Sequence, residues 1–189
     1  MSKTGYHHGD LRAALLESAA EQIAAEGVEA VSLRALARRA GVSHAAPAHH
    51  FGDRAGLFTA LAIEGFELLA TELAGAGDDM REVAVAYIRF ALANPGRFDI
   101  MYRRELLRAD DPDLLAARAR SGAALRSGIA ELRSGESAER QRSTRLAAWS
   151  LVHGFATLWR EGALAGSELA TSTDPEELAR AMLATVQFD

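Results

Sequence analysis

Residues 32 to 51 read SLRALARRAGVSHAAPAHHF, and this stretch decides the fold. Ser32 has the short hydroxyl side chain that caps a helix start, and Leu33, Leu36 and Ala37 follow at helical spacing. Gly41 stands where that helix stops, because glycine takes the left-handed conformation that other residues resist. Val42 can seal the turn, and Ser43 can cap a second helix running to about His50. A small residue for a close helix crossing, a glycine for the turn and an apolar residue beneath it are the requirements of a helix-turn-helix over residues 32–51.

Working outward, Asp10 opens a first helix of about residues 10 to 26, with Leu11, Leu15, Ala19 and Ile23 as its buried stripe and Gly27 as its stop. After Gly52, Asp53 caps a helix from about Arg54 to Ala74. Leu57, Leu61, Gly65 and Leu68 lie on one of its faces, and Phe58, Phe66, Leu69 and Leu73 beside them. A loop follows at Gly75 to Asp79. Further helices are predicted over about 78–93, 97–107 (after an Asn94-Pro95-Gly96 turn), 112–133, 138–163 and from Asp174-Pro175 onward, with Ser134 to Ser137 as a polar loop. Strand-like alternation, repeats and low-complexity segments are lacking. The pattern predicts an all-α chain of about nine helices, a three-helix head carrying the helix-turn-helix and a helical body.

The 189 residues include 49 % apolar residues, no cysteine and four prolines. That supports a sizeable helical core and excludes disulfides and thiolate metal sites. Apolar runs fall short of the ~20 residues that span a membrane, and the start MSKTGYHHGD lacks an apolar signal core, so a cytoplasmic location is expected. The net charge is −5. Residues 1–54 hold six basic and six acidic side chains and five of the six histidines, so the acidity belongs to the body. A neutral, histidine-rich head fits nucleic acid through a small footprint.

In a helix-turn-helix the second helix enters the major groove. His44, Ala45 and Ala46 stand at its first turn, where side chains reach base edges; an imidazole can donate to guanine and alanine methyls can meet thymine. His49 and His50 divide between a phosphate and the interior of the head. Ser32 and Ser43 are caps whose hydroxyls also come near phosphates, and Arg34 is a phosphate candidate, whereas Arg38 and Arg39 read as a solvated face. Lys3, Tyr6 and His7 could form an arm along the backbone. No metal or other cofactor is expected: His44 and His49 lie five apart, off the i, i+4 face of a helical zinc pair, and no HExxH motif occurs. In the body, Tyr87, Phe90, Met101, Tyr102, Leu125, Trp149 and His153 could line an apolar pocket with a few polar tips. Each also reads as ordinary core. Trp149 and His153 share a helix face at i, i+4.

The order of features over about residues 10 to 69 resembles the TetR family of one-component bacterial regulators. The resemblance rests on the capped first helix, LRALARRAGVS, the HHF that follows, and Asp-Arg-x-x-Leu at the fourth helix. WSLVHG, Trp149 to Gly154, resembles the Trp-His-Gly (WHG) signature of one C-terminal subgroup. The resemblance implies a DNA-binding domain over 9–69, an effector-binding and dimerisation domain over 75–189, and a homodimer joined through the last two helices. It further implies a ligand-responsive repressor on a palindromic double-stranded operator, with an unidentified small-molecule effector and no enzymatic activity. The family pattern carries a bulky aliphatic residue where Pro47 stands and a phosphate-touching tyrosine where Ala48 stands. Arg54 takes the place of the usual lysine and would keep its phosphate role. The alternative is a helical ligand carrier or enzyme built on the body pocket, against which stands the lack of a nucleophile–base pair or a phosphate loop.

Overall fold

The computed structural model describes residues 8–130 and 137–186. Among the described residues there are nine α-helices and no strand: α1 (His8–Glu26), α2 (Leu33–Arg39), α3 (Ala45–Phe51), α4 (Arg54–Gly75), α5 (Met80–Ala93), α6 (Pro95–Met101), α7 (Pro112–Ala130), α8 (Ala138–Arg160) and α9 (Pro175–Thr185). Short 3-10 turns cover Val28–Ala30 and Arg104–Leu106. The all-α architecture is the one expected. Lys3, Tyr6, His7 and the first residues of the 134–137 loop lie outside the described residues.

The chain packs as two compact units, one holding residues to Phe66 together with Asn94–Arg118, the other Glu67–Ala93 and the chain from Ala119. In the first, Leu15, Ala19 and Ile23 of α1, Leu36 and Ala37 of α2 and Leu57, Phe58 and Leu61 of α4 are all buried, and α1 packs against α6 and α2. The Ser32 hydroxyl accepts from the Ala35 amide at 3.2 Å and caps α2. At the other end Gly41 takes φ +65°. Its N–H donates to the Arg38 carbonyl at 3.3 Å while Val42 N–H reaches back to Ala37 at 3.0 Å. This is the paired closure of a Schellman turn.

Several boundaries differ from the sequence expectation. The Ser43 hydroxyl does not cap α3: His44 already has helical angles and precedes the helix without a side-chain cap. The Ser43 carbonyl, not its hydroxyl, accepts the Ala46 amide at 3.0 Å. Pro47 is the third residue of α3 and is buried, where the missing N–H falls in the first turn and costs no helical bond. The expected turn at Asn94-Pro95-Gly96 is the start of α6 instead, because proline suits the first helical position. Gly96 brings α6 onto α1: a Cβ there would meet the Ala20 carbonyl oxygen. The predicted helix to Leu107 breaks at Met101 and resumes only as a 3-10 turn. Leu68 of α4 faces outward.

In the second unit α5 packs against α8 and α9 and is buried on nearly all sides, from Met80 through Ala91. Ser137 caps α8 and Asp174 caps α9, through the Arg140 and Glu176 amides at 3.3 and 2.9 Å. The long α8 stops at Arg160, short of Ala163, because Gly162 turns to φ +70° and closes a second Schellman turn. Exposed ion pairs between Arg89 and Glu176 (2.9 Å) and between Arg180 and Glu82 (2.5 Å) tie α9 to α5.

Candidate nucleic-acid interface

The exposed surface around α3 follows from its helical period. Pro47 and Phe51, four apart, are buried, and Ala46 and His50 are half-buried. His44, Ala45, Ala48 and His49 are exposed, and their spacing puts them on one continuous face. That face holds two imidazoles, two methyls and no permanent cation. Ala46 contributes less to it than its neighbours, and Ala48 more. His50 leans inward, its ring 6.0 Å from Phe51 and 5.6 Å from His49. Beneath, the Arg12 guanidinium of α1 lies 5.7 Å from the Phe51 ring. Ser32 and Arg34 are exposed on α2, Ser43 on the turn, and Arg39 is occupied by Glu21 at 3.2 Å.

Arg54, expected to face phosphate, is turned into its own unit. One guanidinium nitrogen donates to the Val28 carbonyl at 2.7 Å and to Glu29 at 3.1 Å. The group lies 4.9 Å from the Phe58 ring, and its Nε is buried without a hydrogen-bond partner among the described residues. Arg97 of the same unit is a buried guanidinium bonded to Glu17 of α1 (2.5 Å) and Glu64 of α4 (3.2 Å). Burial works against its charge, and the two carboxylates more than offset that, so its pKa is raised. Arg97 thus fixes α1, α4 and α6 to one another.

The body candidates fall into two groups. Tyr87, Phe90, Leu125, Trp149 and His153 belong to the second unit, where Tyr87 is the hub. Its phenol oxygen lies 2.9 Å from His153 Nδ1 and accepts the Trp149 indole N–H at 3.2 Å. Indole can only donate, so the phenol proton turns to His153 Nδ1, an acceptor in the neutral imidazole protonated at Nε2. Burial, and secondly Arg160, lower the His153 pKa and favour that neutral form. Met101 and Tyr102 belong to the first unit, where Tyr102 packs edge-on against Phe66 and Phe98 at 5.7 and 5.6 Å. The second unit also has a cavity of about 400 Å3 between α8 and α9, lined by Leu151, Gly154, Phe155, Leu158, Leu178 and Met182 among others. No sequence reading pointed to it.

The family described as bacterial regulatory proteins of the tetR family matches residues 15–61, and the tetracyclin repressor-like C-terminal domain matches residues 80–186. The chain belongs to the TetR family. It is therefore a DNA-binding transcriptional regulator. A solved Rhodococcus sp. RHA1 protein of unknown function is similar over its whole length: 34 % identical, covering 97 % of this chain and 96 % of that one, with a TM-score of 0.77. The TetR regulator PfmR from Thermus thermophilus shares the fold at 24 % identity, 89 % and 93 % coverage and a TM-score of 0.66. So does a Rhodococcus RHA1 regulatory protein of the tetR family at 19 %, 92 % and 93 %, and 0.65. No curated protein matches the chain.

In this TetR regulator, Arg97 and Arg108 went unnoticed in the sequence. Arg97 had a signal: a cation beside the apolar residues Phe98, Ile100 and Met101, when buried, demands carboxylate partners. Arg108 had none, since its partner Asp53 is 55 residues away. Among the described residues no cluster of His, Asp and Glu is placed to hold a metal, and no helix is long and apolar enough to cross a membrane.

Proposed function

We propose that this regulator is a ligand-responsive, non-catalytic repressor that binds a palindromic operator as a homodimer. Residues 9–69 read DNA, and residues 75–189 bind the effector and form the dimer. The observation that carries the reading is the exposed α3 face of His44, Ala45, Ala48 and His49 on a glycine-closed helix-turn-helix. The imidazoles serve base edges or phosphates and the methyls meet thymine; Ser32, Ser43 and Arg34 approach the backbone. Ala46 and His50 support this face from its flank. Arg54 reaches a phosphate only by leaving Val28 and Glu29.

Dimerisation through α8 and α9 is favoured by the apolar cavity between them and by Leu146 and Leu158 of α8, 60 % and 45 % exposed. Large aliphatic side chains in that setting call for a partner surface. The Trp149-x-x-x-His153-Gly154 run is read as the WHG signature, with Tyr87 as its common partner. The effector would be an apolar molecule with one or two polar groups, recognised near Tyr87, Trp149 and His153. It shifts the operator equilibrium only by its differential affinity for two states.

The deciding experiment is selection of a random duplex library on the full chain, followed by mobility shift and sedimentation. Enrichment of a palindrome bound by two copies is expected. Recovery of no sequence-specific, salt-sensitive complex would sink the reading.

A further inference from the structure

We propose that Arg108 is a positioning residue for the recognition helix: it straps the segment between α6 and α7 to the turn that joins α3 to α4. This rests on the reading of α3 as the DNA-reading helix. All the groups involved belong to one compact unit.

The α3–α4 turn is built from few atoms. The Gly52 N–H closes α3 on the Ala48 carbonyl at 2.8 Å, with Gly52 at φ +76°. Asp53 Oδ1 accepts the Gly56 amide at 2.8 Å and caps α4. The Thr59 hydroxyl, one turn on and buried, donates to the Ala55 carbonyl at 2.8 Å. Arg108 engages each of these parts. Its backbone N–H donates to the Thr59 hydroxyl oxygen at 2.9 Å, and its guanidinium donates to Asp53 Oδ1 at 3.0 Å. The guanidinium also lies over the two glycines: a Cβ on Gly52 would stand 3.3 Å from Arg108 Nη2, and one on Gly56 3.0 Å from it. The neighbouring Leu107 is buried and pins the segment.

The ion pair alone carries little, since Arg108 and Asp53 are 49 % and 65 % exposed. The strap works by geometry. A flat guanidinium fits over a glycine surface, and the same Asp53 oxygen serves both the helix cap and the strap. Displacement of the α6–α7 segment therefore moves the α4 cap at Asp53 and, two residues before it, the end of α3 at Phe51.

The test uses the full chain with Arg108→Met, Arg108→Lys and, as a matched control, Arg120→Met, which breaks an equally exposed pair with Glu67 at 2.8 Å. Backbone hydrogen exchange over residues 48–58 should quicken in R108M, recover only in part in R108K, which keeps a donor for Asp53 but not the flat group over the glycines, and stay unchanged in R120M. Affinity for the selected operator should fall about tenfold in R108M, with the slope of log K against log salt unaltered. Unchanged exchange in R108M overturns the proposal, as does equal quickening in R120M or complete recovery in R108K, which would leave the flat guanidinium without a role. A salt slope smaller by about one also overturns it, because Arg108 would then be a phosphate contact. If the wild-type chain binds no DNA, the reading of α3 fails, while the exchange experiment still decides whether Arg108 holds the turn.

Discussion

Tyr87 and His153 are joined across α5 and α8 by a 2.9 Å contact between the phenol oxygen and Nδ1, and the Trp149 indole closes on the same oxygen. One hydroxyl thus serves two ring nitrogens inside the body. Tyr87→Phe keeps the ring and removes that hydroxyl. The expected cost is ~1 kcal/mol of stability, since two half-buried ring nitrogens lose a partner. Chemical denaturation with an unchanged m-value is the check; a loss below a few tenths of a kcal/mol would show the contact to be incidental.

The same site imposes a pH dependence. The folded state holds the His153 pKa below the ordinary 6.5, so the unfolded chain takes up a proton first as the pH falls. Stability from this group is complete above about 6.5 and is lost as the pH drops below that value toward the lowered folded one. Asp53, Glu82 and Glu176 are also lowered, from 3.8 or 4.5, so their contribution is lost only at more acid pH. Between pH 7.5 and 5 the denaturation midpoint should decline, and less steeply in His153→Gln.

Two glycines should respond differently to alanine. At Gly41 there is open space around a Cβ, and the cost is that of a left-handed alanine, ~1–2 kcal/mol. At Gly96 a methyl would meet the Ala20 backbone, which cannot swing aside. Gly96→Ala should exceed Gly41→Ala and separate α1 from α6. Thermal melts of both variants would expose the error if the order were reversed.

The α3 face predicts an atom-level signature in the operator. Replacing thymine by uracil removes only the 5-methyl group. Where Ala45 or Ala48 covers that methyl, affinity should fall about fourfold per site, from ~0.8 kcal/mol per buried methyl-sized group. His44→Ala should weaken specific binding more than non-specific binding, and equal losses would assign His44 to phosphate.

What the sequence disclosed and what it concealed divide by distance along the chain. Ser32, Gly41 and Val42 act on backbone groups within a few residues, so the turn was legible, as was the Asp174 cap of α9. Pro95-Gly96 was read as a turn because the same two residues suit a turn or a first helical turn. Only the close approach of Ala20, 76 residues earlier, decides between them. Arg54 looked like a phosphate contact by position, yet the Val28 carbonyl and Glu29, some 25 residues away, take its guanidinium. The pocket candidates were chosen by side-chain type, and type does not tell which unit a residue joins: Tyr102 went with Phe66 and Phe98, Tyr87 with Trp149.

The absence of lysine and arginine from α3, with Arg54 folded inward, bears on how a target is found. Random DNA holds a protein through fixed positive charge, and each neutralised phosphate adds to that grip. With none of that charge on α3, the grip falls to cations beside it such as the exposed Arg34 and Arg38 of α2, and the expected consequence is a shallow fall of operator affinity with added salt.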